Sequence, residues 1–183
     1  MFSSQREKTL WTRVIFLVVL IYSTQALAGT LVKHFSERGM IDDTFFAAFL
    51  IVSLVILISG FVRKQKPLEV MTGIGVATVG ILVLLRAGTD LEHRTHLFEY
   101  GFLSLLIYLA MSERRRVKGS KLWVTSIVVW LSAAMLGMVD EVLQLAIPGR
   151  GFQWVDIGFN IGAATATVIF LAGVDFVREK LKR

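Results

Sequence analysis

The length of the apolar runs constrains this chain more than any other feature. Six stretches approach the roughly 20 residues a helix needs to cross the hydrocarbon of a bilayer. They are residues 11–28, 44–62, 68–85, 97–111, 122–139 and 157–177. Lipid offers the backbone no hydrogen-bond partner, so such runs must be helices or strands of a closed barrel. The two-residue alternation of a barrel is absent. The fourth run is short and spans only if its helix begins near Asp90, taking Glu92, His96 and Glu99 into its outer turns. The fifth continues past Asp140 until Pro148-Gly149 stop it. The expected fold is an all-α, polytopic bundle of six transmembrane helices, one domain over residues 1–183.

Charge placement orients such a bundle. The net charge is +6 and the pI near 9.9, which by itself would suit nucleic acid. Fifteen of the 20 Lys and Arg residues, however, fall in alternate flanks of the apolar runs. These are Arg6, Lys8 and Arg13; Arg63, Lys64 and Lys66; Arg114, Arg115, Arg116, Lys118 and Lys121; and Arg178, Lys180, Lys182 and Arg183. The opposite flanks carry nine of the 14 acids. By the positive-inside rule both termini lie in the cytoplasm, and the basic clusters are topology signals rather than a nucleic-acid surface. Arg6, Lys8 and Arg13, the run 14–22 and Ala26-Leu27-Ala28 also fit a cleaved signal peptide, which would leave five helices in the same orientation. No cysteine is present, which excludes disulfides, iron–sulfur clusters and thiol nucleophiles.

Three polar groups gather at the opposite, outer ends. Glu92, His96 and the Glu99/Tyr100 pair are spaced to share one helix face. Asp140, Glu141 and Gln144 close the fifth helix. Arg150 precedes Asp156 and Asn160, one turn apart at the start of the sixth, and Ser23, Thr24 and Gln25 end the first helix on the same side. Plainer readings exist for each. Asp156 suits the positive end of a helix dipole, Arg150 could neutralise Asp140 or Glu141, and His34 and His93 read as solvated loop residues. Gly73, Gly75 and Gly80, like Gly158 and Gly162, suit close helix packing. Yet carboxylates near hydrocarbon are costly unless paired or wetted, and here acids, an imidazole and a guanidinium converge on one leaflet. Paired acids suit general acid–base work. His96 with Glu92, Glu99 and Asp140 or Glu141 could instead hold a divalent metal.

Two stretches carry a resemblance. EHRTHLFEYGFLSLLIY (92–108) and DEVLQLAIPGRGFQWVDIGFNIG (140–162) resemble the two signatures of VanZ-like membrane proteins, and Ile21-Tyr22-Ser23-Thr24 is similar to that family's opening, which argues against cleavage. The signature carries onto His96, Glu99, Tyr100, Asp140, Glu141, Gln144, Arg150, Asp156 and Asn160; Glu92 matches it less closely. The resemblance implies a protein of the bacterial inner membrane and a link to glycopeptide (teicoplanin) resistance, which the family's namesake confers. It leaves the chemistry open. In one reading Tyr100, Gln144, Arg150, Asp156 and Asn160 bind a lipid headgroup or lipid-linked envelope precursor in a polar pocket facing outward. In the other, His96, Glu99, Asp140 and Glu141 are the acid–base or metal-holding groups of a hydrolase or transferase acting on such a substrate. A proton-coupled transporter is disfavoured, because the charge sits at one end and not at the midplane.

Overall fold

Large apolar side chains face outward and polar ones inward. In the computed structural model, which describes residues 2–40, 47, 50, 51, 54, 57, 58, 91–148 and 150–181, four helices and no strand occur among the described residues: α1 (Gln5–Glu37), α2 (Leu91–Lys118), α3 (Leu122–Gln144) and α4 (Trp154–Leu181). Along α3 the inward stripe is Thr125, Val129, Ala133, Gly137, Asp140, Glu141 and Gln144. The outward stripe is Trp123, Ile127, Leu131, Met135, Met138 and Val142. On the outward faces of α3 and α4, Met135 is 66 % and Ile169 68 % exposed. A water-soluble core helix has the reverse arrangement. Both α3 and α4 are long and apolar enough to cross a membrane, and only about a fifth of each is buried. Ala47, Leu50, Ile51, Leu54, Leu57 and Ile58 are also helical and exposed, at spacings that put them on one helix face.

The helices start and stop for local reasons. At the head of α1 the Glu7 amide donates to Ser4 Oγ at 3.0 Å, and Glu7 Oε2 accepts from the Ser3 amide at 2.5 Å. This is a variant of the reciprocal capping box. The chain leaves α1 through Gly39 and α2 through Gly119, both at positive φ, which glycine adopts without a Cβ clash. The Gly119 amide caps the Arg115 carbonyl at 2.8 Å, the left-handed helix stop.

Several boundaries differ from the sequence reading. α1 does not end near residue 28 but runs on to Glu37, so Ser23 and Thr24 are interior residues whose hydroxyls bond back to the Leu20 carbonyl. His34 and His93 lie in helices, not loops. The fifth apolar run stops at Gln144, before Pro148. Its last turn tightens, with the Leu145 amide reaching Val142 and the Ala146 amide Leu143. The runs 44–62 (six positions apart) and 68–85, with Gly73, Gly75 and Gly80, lie outside the described residues; among the described residues two helices, α3 and α4, are long and apolar enough to cross, not the six expected.

Residues 1–28 and 92–183 form one compact unit and 29–91 another. In the first, α2 and α3 are joined by a short link and run antiparallel. Val14, Ile21, Tyr100, Leu103, Ile107, Tyr108, Val129, Ala133, Ala163, Ala164 and Val168 form its core. Close approach occurs at Gly137, where a Cβ would come within 2.8 Å of Asn160 Cβ. Gly158 and Gly162, expected to pack closely, meet nothing within 4 Å, because that face of α4 points outward.

At one end of the unit several of the basic residues, Arg6, Arg114, Arg115 and Arg116, are paired with acids. Ser4 Oγ donates to Glu113 at 3.2 Å, Arg114 faces Glu7 at 3.8 Å, and Arg115 pairs with Asp175 at 2.8 Å and with Glu179. The Tyr108 hydroxyl donates to Asp175 at 3.0 Å. Burial works to raise the Glu7 carboxyl, but the Ser3 hydrogen bonds and the Arg114 guanidinium outweigh it and hold the group below its ordinary 4.5.

Two outcomes follow. Gly137→Ala should destabilise the detergent-solubilised protein by about 1–3 kcal/mol through overpacking, while Gly158→Ala and Gly162→Ala leave its thermal unfolding temperature unchanged. A carboxyl with a lowered folded pKa stabilises above its unfolded pKa and loses that contribution as pH falls through the folded one. Glu7→Gln should therefore lower the unfolding temperature at neutral pH, and the gap to the native chain should begin to narrow as the pH drops below 4.5 and close only below the lower folded value.

Candidate functional site

At the other end of this unit four helix segments bring a buried polar cluster together. α2 contributes His96, whose position in the second turn follows from the helix starting at Leu91. α3 contributes Asp140, Glu141 and Gln144, the last inward positions before it stops. α4 contributes Asp156 in its first turn, and α1 contributes Gln25. All six side chains are buried, Glu141 completely.

His96 is the hub. Its Nδ1 lies 3.6 Å from Asp140 Oδ2, and its Nε2 lies 3.5 Å from Asp156 Oδ2 and 4.0 Å from Glu141 Oε1. Each α3 carboxylate is anchored by one oxygen and turns the other toward the ring. Gln25 Nε2 donates to Asp140 Oδ1. The Gln153 amide, at the end of the loop into α4, donates to Glu141 Oε2 at 3.0 Å. Gln144 Nε2 bridges Asp140 Oδ2 at 3.4 Å and Glu141 Oε1 at 3.3 Å. The Gln144 carbonyl oxygen accepts from Arg150 Nη1 at 3.3 Å. The partly buried Arg150 guanidinium thus caps the cluster at its edge, within electrostatic reach of Asp140, Glu141 and Glu99.

The remaining sequence candidates stand around this hub. Tyr100 is buried and its ring stacks 6.2 Å from His96. Its hydroxyl and that of Tyr22 both donate to the Leu136 carbonyl, at 3.2 and 2.8 Å, one turn before Asp140. Asn160 is buried too, but its Nδ2 donates to the Gly137 carbonyl at 3.4 Å, so it clamps α4 to α3. Glu99 is partly exposed at the margin. The Glu92 side chain lies outside the described residues. One nitrogen of His96 and one oxygen each from Asp140 and Glu141 lie within 4.8 Å of one another, a grouping able to hold a metal ion.

The sequence reading did not assign Gln25, Tyr22 or the Gln153 amide to the site. A glutamine inside an apolar run was the available signal, since amides at that depth need partners. Tyr22 and Gln25, three residues apart, share the inward face of α1. Nothing in the sequence marks a backbone amide. No family model, curated protein or solved structure matches this chain.

Removing a donor from a buried carboxylate leaves its oxygen without that partner, at a cost of about 1–3 kcal/mol. Gln25→Leu should lower the thermal unfolding temperature accordingly. Ser23→Ala, which loses only a bond to its own helix, should not.

Proposed function

We propose that this chain is a VanZ-like, six-helix protein of the bacterial inner membrane, with both termini in the cytoplasm, and that its buried cluster faces the outer leaflet and binds an anionic lipid headgroup or lipid-linked envelope component. The supporting observation is the ordered cluster itself: an imidazole among three buried carboxylates, with one guanidinium at its edge, inside a unit coated with apolar side chains. Hydrocarbon-facing exteriors explain the coat, and a polar cluster in such a setting is a functional candidate by default. Arg150 supplies the planar, charged fork that recognises phosphate or carboxylate. The buried amides and tyrosines hold the groups behind it. The alternative of acid–base hydrolysis or transfer draws on the same contacts, because His96 stands between carboxylates that could orient it and share its proton.

Binding and catalysis separate by mutation. An Arg–anion contact contributes about 1.5–3 kcal/mol, so Arg150→Ala should weaken binding of a soluble short-chain lipid phosphate by roughly tenfold or more, measured by equilibrium dialysis, while Arg178→Ala leaves it unchanged. Equal affinity in both variants would remove Arg150 from the reading. Sidedness is tested with the native cysteine-free background. An impermeant maleimide applied to intact cells should label Gly151→Cys and not Lys118→Cys; the reverse pattern would invert the orientation.

A further inference from the structure

One helix carries polar side chains through the depth of the unit. His96, Tyr100, Ser104, Tyr108 and Ser112 follow one another at four-residue steps along α2, on the i, i+4 ridge that winds slowly about a helix. The first four are buried, Tyr100 and Ser104 completely. The ridge rises about 24 Å, against about 30 Å for the hydrocarbon of a bilayer. Both of its ends meet charge. Tyr100 stacks on His96 and stands within electrostatic reach of Asp140, so the outer end joins the buried cluster. At the other end the Tyr108 hydroxyl donates to Asp175 Oδ2 at 3.0 Å, an oxygen that Arg115 also holds at 2.8 Å. Ser112 lies beside that hydroxyl. Asp175 is 21 % exposed, so this end reaches solvent.

Ser104 is the informative member. The hydroxyls of Ser23, Thr24, Thr125, Ser126 and Thr165 bond back to carbonyls of their own helices, the usual way such a residue is satisfied in an apolar helix. Ser104 Oγ is wholly buried and has no hydrogen-bond partner among the described residues. A buried hydroxyl in that state is costly, and an internal water is the partner it takes. Successive ridge positions lie about 6 Å apart along the axis, the length of two hydrogen bonds through one bridging water.

We infer that this ridge is a proton path joining the outer cluster to Asp175. A proton arriving at a hydroxyl or water oxygen bonds to it as that oxygen releases its own proton to the next. Every O–H bond broken is thus matched by one formed, and one positive charge crosses per transfer. Asp175 gives the proton and a carboxylate of the cluster takes it, or the reverse when the gradient is reversed. The core through which the ridge runs, with Leu103, Ile107 and Val129 buried, offers hydrated Na+ or K+ no polar lining. Charges in the sequence mark only the two ends, which disfavours a transporter there; hydroxyls cross the midplane instead. The path rests on the membrane-spanning part of the reading above and goes beyond its headgroup.

The test uses the full chain reconstituted in phosphatidylcholine liposomes loaded with KCl and a trapped pH dye. Valinomycin lets K+ leave, and the inside-negative potential then draws protons in. Liposomes with the native chain should acidify faster than protein-free ones and take up no extra Na+. Ser104→Ala and Tyr108→Phe should each slow the acidification roughly tenfold, the size of one lost buried hydrogen bond. Ser104→Thr, which keeps the hydroxyl, should recover most of the rate, and Ser126→Ala should leave it unchanged. A native rate no faster than that of protein-free liposomes overturns the path. So does a native rate kept by both S104A and Y108F, or Na+ entering alongside the protons, which marks a leak of water and ions. The native comparison needs no variant, so a variant that fails to fold does not shield the idea. If the chain does not float with the liposomes, the membrane reading falls and the path with it. Flux without lipid phosphate binding sinks the headgroup reading alone; binding without flux sinks the path alone.

Discussion

The contact of one buried imidazole with carboxylates from two helices is what the rest of this structure is arranged to permit. Bringing His96, Asp140, Glu141 and Asp156 together puts like charges close to one another away from bulk water. That is tolerable only where other groups are fixed to absorb the cost. The fold supplies them from four segments: a glutamine from α1, a second from the end of α3, a backbone amide from the loop into α4, and a guanidinium at the rim. All but Gln25, which lies within α1, come from segments that end or turn at this level.

The opposite end follows a different electrostatic logic. There the charges are strongly basic, partly exposed and paired one to one or two to one, as with Arg115 between Asp175 and Glu179. Exposed pairs of this kind contribute modestly to stability. They do fix register. Ser4 and Glu7 meet Glu113 and Arg114, which locks the start of α1 to the end of α2. With α1 held at that end, Tyr22 and Gln25 arrive beside Leu136 and Asp140 at the other. Between the two ends the contacts are small residues and short polar stitches, such as the Trp130 indole on Thr165 at 2.9 Å, which allow backbones to approach where hydrophobic burial offers little drive.

The exterior gives the arrangement its setting. Met135, Ile169 and Trp154 are each more than half exposed, and large contiguous apolar surface of this kind marks a face that meets something other than water. The inversion is carried by α3 most plainly, where every large outward side chain is apolar and both ionisable side chains point in.

The primary structure by itself determined that the apolar runs are helices and marked His96, Asp140, Glu141, Gln144 and Asp156 as candidates, but not Gln25 or the Gln153 amide. Apolar runs of bilayer length leave the backbone no other way to satisfy its hydrogen bonds. The four-residue spacings at Asp140–Gln144 and Asp156–Asn160 put those side chains on single faces. Tertiary structure decided who meets whom. That His96 faces Asp156 on one nitrogen and Asp140 on the other, that Asn160 serves Gly137 and not the cluster, and that Gly137 rather than Gly158 or Gly162 is the point of closest approach all depend on how helices are rotated about their axes. That rotation is set by packing summed over the whole interface, and periodicity within one helix carries no information about the angle its neighbour will adopt.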